Sequence, residues 1–290
     1  ASPDLERAGD QGGGRMSKVE AVSRRGGDQP PAVLGRYSPL LVGLFTSWLE
    51  GYFRRAFDGV RLSREGSHPH VPPGPLLVYS NHPSWWDPIH FLLIGRFALS
   101  GRRVFGPMEA EALKKYKFFS RMGVYGVDTA SRRGAADFLR TSRAVLADPK
   151  ASLWVTAQGE FCDPRQRPVT LRRGVAHLAS RMTGGTILPL ALEYPFWNER
   201  LPEALSRFGR PIDLATEPRR SASEWNSFLE VRLEETMDTL GRDASARNPD
   251  RFHTLFLGRA GVGGVYDRWR RLKSVFDGRS LDVAHEEDRR

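Results

Sequence analysis

The chain reads as an α/β protein: a mostly parallel sheet flanked by helices, with an amphipathic helix before it and helices after it. Three observations lead there. Compact apolar runs of strand length, such as Leu76-Leu77-Val78-Tyr79 and Ile187-Leu188-Pro189-Leu190-Ala191-Leu192, punctuate the middle of the chain. Segments with helical spacing alternate with them, and that order implies a largely parallel sheet covered on both faces. At 290 residues the chain is long enough for one sizeable core, or one core with helical appendages.

Taken in order, residues 1–34 are rich in Gly, Arg, Asp and Ser. Gly12-Gly13-Gly14 and Gly26-Gly27 cannot seed a core, so a disordered tail is expected there. From Tyr37 to Val60, Leu41, Val42, Phe45, Trp48, Leu49, Tyr52, Phe53, Ala56 and Phe57 fall at helical spacing on one face, with Arg54 and Arg55 off it. Such a helix packs on the core or lies in a membrane surface with its aromatics at headgroup depth, and both hold if it bridges the two. The proline-containing residues 61–75 read as a linker, so 35–75 is expected to be a membrane-associating helix and its linker.

The strand–helix alternation then runs as follows. Leu76–Ser80 reads as a strand and Pro88–Phe97 as a mostly apolar helix. Arg103–Phe105 is a strand, Met108–Met122 a basic amphipathic helix with Lys114, Lys115 and Lys117, and Gly123–Val127 a short strand. Helix Ala135–Ala147 stops before Pro149; strand Ser152–Thr156 and helix Leu171–Met182 follow, then strands Thr186–Tyr194 and Phe208–Leu214. The α/β unit thus spans 76–220. Helix Ser223–Leu240 opens a helical extension over 221–290, in which Tyr266–Phe276 is a second basic aromatic helix. The glycines from Gly258 to Gly264 do not spell a dinucleotide fingerprint and follow no strand, so they read as a loop.

Lys and Arg exceed Asp and Glu by 44 to 34, a net charge of +10. That balance favours anionic partners such as acidic lipid headgroups or a phosphorylated carrier. No nucleic-acid motif accompanies the charge, so nucleic acid is not expected as a partner. The single cysteine, Cys162, rules out an internal disulfide framework and fits a reducing compartment. No Cys/His cluster has zinc spacing, so no metal is expected. With no run of about 18 apolar residues and no cleavable signal, the expectation is a cytoplasmic protein attached peripherally to the membrane from that side.

The chemistry-bearing stretch is the polar loop closing the first apolar run, Ser80-Asn81-His82-Pro83-Ser84-Trp85-Trp86-Asp87-Pro88. A loop at the end of a buried strand is where α/β proteins place their chemistry. His82 and Asp87, five positions apart, suit a proton-transfer pair in which Asp87 orients His82. Spacing alone favours the plainer reading, an Asp87 that only caps the helix opening at Pro88 beside an ordinary polar His82.

Asn81-His82-x-Ser84-x-x-Asp87 resembles the first signature of the glycerol-phosphate and lysophospholipid acyltransferase family, which follows an apolar strand as here. The resemblance covers roughly residues 75–215. It implies that His82 is the general base, Asp87 its partner, and Asn81 and Ser84 part of the substrate site. In that family a Gly-led second signature ends in an arginine for the acceptor phosphate; Gly123-Val-Tyr-Gly126-Val-Asp128-Thr129 stands there, with Thr129 in the arginine's place and Arg132 and Arg133 beyond it. The third signature, usually Phe-Pro-Glu-Gly-Thr with the Glu contacting acceptor, reads Thr156-Ala157-Gln158-Gly159-Glu160, so Gln158 replaces Glu and Glu160 follows two residues on. Amides around Gly159 are candidates for holding an oxyanion. Arg165, Arg167, Arg172 and Arg173 follow, suiting a phosphate-bearing donor or a lipid surface. The fourth signature, a strand with a central proline, matches Ile187–Leu192 around Pro189.

What the resemblance implies is O-acyl transfer from acyl-CoA or acyl carrier protein, as co-substrate and with no cofactor, to the hydroxyl of a membrane lipid. The altered second and third signatures point away from lysophosphatidic acid toward another lipid alcohol. Two other readings remain at this level: a hydrolase using Cys162 with His82, and a non-catalytic basic membrane-binding protein. The His82–Asp87 pair favours an enzyme, and no nucleophile elbow surrounds Cys162.

Overall fold

A computed structural model describes residues 32–258. Of the tail expected over 1–34, residues 1–31 lie outside the described residues, as do the glycine loop beyond Gly258 and the Tyr266–Phe276 helix, while residues 32–34 are helical. Short helix α1 (Ala32–Arg36) precedes α2 (Pro39–Ala56), whose start is fixed by Pro39 and by the Ser38 hydroxyl accepting from the Leu41 amide. Strand β1 (Gly59–Ser63) follows immediately. The expected linker is therefore partly sheet, because Val60 and Leu62 are fully buried apolar residues that only a paired backbone can carry inside.

The alternating part comprises β2 (Leu76–Ser80), α3 (Asp87–Ala98), β3 (Arg103–Glu109), α4 (Ala110–Lys115), a 3₁₀ turn over Lys117–Met122, β4 (Val124–Val127), α5 (Arg132–Leu146), β5 (Ala151–Thr156), α6 (Gly174–Ala179), β6 (Thr186–Glu193), β7 (Glu203–Phe208) and β8 (Ile212–Asp213). Helix α7 (Ala222–Ser245), opened by a Ser221–Glu224 capping box, and edge strand β9 (Phe252–Leu257) complete the described chain. Two expectations are corrected. Met108–Met122 is not one helix: β3 runs through Met108, and the helical remainder breaks at Tyr116 into a one-turn helix and a 3₁₀ turn. Phe208–Leu214 is not one strand, since β7 ends at Phe208 and the chain turns through Gly209–Pro211 into β8.

The sheet has the order β4-β3-β5-β2-β6-β7-β1-β9, with β8 alongside β6. From β4 to β6 every pairing is parallel; β7 and β9 enter antiparallel to their neighbours β6 and β1, and β1 pairs parallel with β7. Strand β2 is buried on both faces, as its unbroken apolar run demands. Its alternate residues divide between two cores. Leu76 and Val78 pack with Phe91 and Ile94 of α3 and with Trp154, while Leu77 and Tyr79 pack toward α5, α6 and α7. The Tyr79 hydroxyl ends that second layer by donating to the Leu229 carbonyl at 3.0 Å.

A third cluster explains α2. Leu49, Phe53 and Phe57 pack with Val60, Ile89, Leu93 and Ala204, so this face of α2 is held against α3 and the β1–β7 pair. The expected single apolar face is thereby divided. Leu40, Leu44, Trp48 and Tyr52 form a second row at four-residue spacing that stays exposed. On the opposite face of these strands, Arg61 and Glu203 make a buried two-pronged ion pair at 2.8 and 3.0 Å that joins β1 to β7.

Candidate active site

The carboxyl ends of β2, β3, β4 and β5 open on one edge of the sheet, and the loop from Asn81 to Trp86 leaves β2 at its centre. Asn81 is fully buried and continues the β2–β6 ladder with its side chain. Its amide nitrogen donates to the Leu192 carbonyl and its oxygen accepts from the Leu192 amide, both at 2.9 Å. This anchors the loop before it turns outward.

His82 is gripped from both sides by the loop after β5. Its backbone N–H donates to Gln158 Oε1 at 2.8 Å, and its carbonyl accepts from the Cys162 amide at 3.0 Å. Gln158 is itself buried, and Gly159 makes the turn behind it at φ +73°. A side chain at Gly159 would strike Arg172, whose guanidinium stem lies across this turn. The Gly159 amide donates to the Thr156 carbonyl at 3.1 Å, so in this geometry it is engaged in the turn. Phe161 stacks obliquely over the His82 ring, centroids 4.4 Å apart, while remaining 62% exposed.

Asp87 faces His82 across the loop. The His82 Nδ1 lies 2.7 Å from Asp87 Oδ2, which also accepts the Ser84 amide at 3.1 Å. The other oxygen, Oδ1, accepts the Tyr194 hydroxyl at 2.8 Å. The pairing assigns the imidazole proton to Nδ1 and leaves Nε2, on the opposite side of the ring, as the unprotonated nitrogen. Asp87 occupies the first turn of α3 and makes no side-chain cap; Trp86 is the capping position. The helix therefore starts one residue earlier than expected, and the carboxylate turns back into the loop, where three donors and the positive helix end receive it. The Ser84 hydroxyl accepts from the Trp86 amide at 3.3 Å, holding the turn between them. Burial pushes the Asp87 carboxyl up from its ordinary range, and the bonds from His82, Ser84 and Tyr194 oppose that shift.

The remaining expected residues lie elsewhere. β4 is three strand spacings from β2, about 14 Å across the sheet. Beyond it the Asp128 carboxylate closes an Asx turn onto the Ala130 amide and the Ser131 hydroxyl, which in turn caps α5 through the Gly134 amide. Thr129, Arg132 and Arg133 are exposed on this turn and on the first turn of α5. The structure thus brings Asn81, His82, Ser84, Asp87, Gln158 and Gly159 together, and sets Thr129, Arg132 and Arg133 two intervening strands away. Glu160 is exposed beside Phe161. Of the arginines after β5, Arg165 pairs with Asp163 and Arg167 with Asp238. Burial, with Glu160 adding, pushes the Cys162 thiol up, the opposite of what an activated nucleophile needs.

Two site neighbours, Tyr194 and His90, carry no local motif. His90 is fully buried on α3, and its Nδ1 lies 3.3 Å from the Tyr194 hydroxyl. Burial depresses the His90 imidazole to about 3, so it stays neutral. The only sequence signal for either is position: Tyr194 directly follows the Pro189 strand, and His90 lies one helical turn past Trp86.

Residues 62–193 match the family model described as Acyltransferase, a span that contains the whole His82–Asp87 loop, the β5 turn and the Pro189 strand. No curated protein matches the chain. Among solved structures the chain is similar to the 1-acyl-sn-glycerophosphate acyltransferase PlsC of Thermotoga maritima, at 15% identity and a TM-score of 0.45, over 69% of this chain and 76% of that one. The span matched by the family model encloses the His82–Asp87 pair and the β5 loop that grips it, and over residues 62–193 the chain is similar to the acyltransferase family.

Proposed function

We propose that the protein transfers a fatty acyl group from a thioester, acyl-CoA or acyl carrier protein, to the hydroxyl of a lipid acceptor, with His82 as general base. The observation that carries this is the His82–Asp87 bond at 2.7 Å inside the family-matched segment. Nε2 takes the acceptor's hydroxyl proton as its oxygen attacks the thioester carbonyl. The tetrahedral intermediate then collapses, the carbon–sulfur bond breaks, and the imidazolium returns its proton to the leaving thiolate. Asp87 stabilises the imidazolium between the two steps. No acyl-enzyme forms, and Cys162 takes no part.

The acceptor reading follows from where the cations stand. Thr129, a neutral hydroxyl, stands where the resembled family has its phosphate-binding arginine, and Arg132 and Arg133 beyond it are exposed on the first turn of α5. That replacement supports an uncharged or differently charged lipid alcohol as acceptor. A peripheral place on the cytoplasmic membrane face is supported by Leu40, Leu44 and Trp48, which are 74%, 64% and 59% exposed, and by Trp85 at the catalytic loop, 65% exposed. Lys114, Lys115 and Lys117 lie on the neighbouring α4 and 3₁₀ turn. No helix among the described residues is long and apolar enough to cross a membrane.

The test is thiol release from hexadecanoyl-CoA by the full chain on anionic vesicles, with 1-acylglycerol and lysophosphatidic acid offered in competition. The expected result is acylated 1-acylglycerol in excess, abolished by His82→Ala. A product acylated chiefly on lysophosphatidic acid overturns the acceptor assignment, and turnover that survives His82→Ala overturns the mechanism.

A further inference from the structure

We propose that Tyr194, seated by His90, is a positioning residue of the His82–Asp87 dyad, holding Asp87 in the orientation that presents Oδ2 to the imidazole. The argument begins with counting protons. Tyr194 has one hydroxyl hydrogen, and the carboxylate at 2.8 Å has none to offer, so the tyrosine donates to Asp87 Oδ1. Its oxygen is then an acceptor, and the bond at 3.3 Å must be donated by His90 Nδ1–H. That fixes the His90 tautomer and leaves Nε2 a bare lone pair, which agrees with its having no partner although fully buried. A buried orphan nitrogen costs stability, so its presence needs a reason. The reason offered is that the ring's other face steers a tyrosine that steers the catalytic carboxylate.

Geometry limits the alternatives. Asp87 Oδ2 already takes two donors, the His82 ring and the Ser84 amide, and Tyr194 supplies Oδ1 with its bond. Without it the carboxylate is held through Oδ2 alone, and its last torsion is a soft one. Phe57, 5.6 Å from the Tyr194 ring, and Phe53, 5.8 Å from the His90 ring, wall the pair into one position. The titratable groups facing the Asp87 carboxyl are His82 from its own loop and Tyr194 from the end of β6, with His90 of α3 behind the tyrosine.

The kinetic half of the test rests on the acyl-transfer reading above; the spectroscopic half does not. Tyr194→Phe keeps the ring and removes only the hydroxyl. In hexadecanoyl-CoA turnover with 1-acylglycerol, kcat is expected to fall about tenfold with KM changed less than about twofold, as one bond to a charged group is lost. The acid limb of the rate profile should move to higher pH, because an Asp87 short of one donor takes a proton sooner. By proton NMR of the full chain, the downfield His82 Nδ1–H resonance, identified by its absence in Asp87→Asn, should change in position or width. His90→Leu should reproduce both effects in part, and His90→Asn, which restores a donor near Nδ1, should reverse them; this pair decides the matter if Tyr194→Phe fails to fold. An unchanged resonance and acid limb, or a loss borne by KM, makes Tyr194 a packing residue and overturns the proposal. If the wild type releases no thiol with either acceptor, the acyl-transfer reading fails, and the resonance still decides the role of Tyr194.

Discussion

The loop after β2 and the loop after β4 leave the same edge of the same sheet, yet they are built in opposite ways. In the first, Asn81 and Asp87 are fully buried and the His82 ring is nearly so; their polar atoms are matched by Leu192, Gln158, Cys162, Ser84 and Tyr194. In the second, Asp128 satisfies the turn by itself, and Thr129, Arg132 and Arg133 stand in solvent. A substitution in the buried loop strands a partner, at a cost of about 1–3 kcal/mol for each orphaned group. A substitution in the exposed loop strands nothing and falls within about 0.5 kcal/mol. The contrast has a structural consequence: a change on the outer turn disturbs none of the contacts that hold His82 and Asp87.

The largest expected effect breaks the comparison if it is absent. His82→Ala should lower kcat by about 10²–10⁴-fold, and Asp87→Asn nearly as much, whereas Thr129→Ala should leave turnover per folded molecule near wild type. Near-normal turnover of His82→Ala would sever the buried loop from the chemistry.

Acid sensitivity should separate the loops next. His90 is held at about 3 in the fold against 6.5 for the free side chain, so the unfolded chain binds the proton first. Its contribution is complete above pH 6.5 and is lost as pH falls toward 3, of order 4–5 kcal/mol at full extent and about 2 kcal/mol between pH 7 and pH 5. Urea unfolding at those two pH values should show His90→Leu with a correspondingly flatter dependence. An identical fall in both proteins would place the acid-sensitive group elsewhere.

The outer turn is sharpened by returning what it lacks. Thr129→Arg should shift the competition between acceptors toward lysophosphatidic acid by roughly one to two decades, the worth of a charge-assisted phosphate bond. No shift would mean that this turn stands outside the acceptor's reach. The smallest effects concern the basic residues beside α2: Lys115→Ala and Lys117→Ala should each weaken sedimentation with anionic vesicles about fivefold, additively, and not with neutral ones. Unchanged sedimentation would remove the lysines from any lipid contact.

Strands β2, β5 and β6 are legible because buried parallel strands write themselves as nearly unbroken apolar runs, and the Asn81–Asp87 loop because its chemistry is local in sequence. β1 was hidden, since Gly59–Ser63 is short and follows a helix without a turn signal. The break at Tyr116 was hidden too, because the following 3₁₀ turn keeps a helix-like spacing. Asn81 and Gln158 were found as site residues, but their hydrogen bonds to Leu192 and to the His82 amide were not readable, as each spans a separation of 111 or 76 residues. Tyr194 and His90 escaped for the same reason: their link to Asp87 exists only once β6 and α3 lie side by side.

The stacked rings on α2 carry a mechanical consequence. Trp48 lies on Tyr52 at 5.3 Å, Tyr52 on Trp86 at 5.4 Å, and Trp86 is the residue before Asp87. Whatever covers the outer row of α2, the dyad is joined to that surface by packed side chains rather than by a flexible tether. Its standoff is a built-in gauge. For the lipid acceptor proposed above, a hydroxyl offered above or below that height would miss His82 however well its headgroup were bound, making chain registry a selection rule independent of charge.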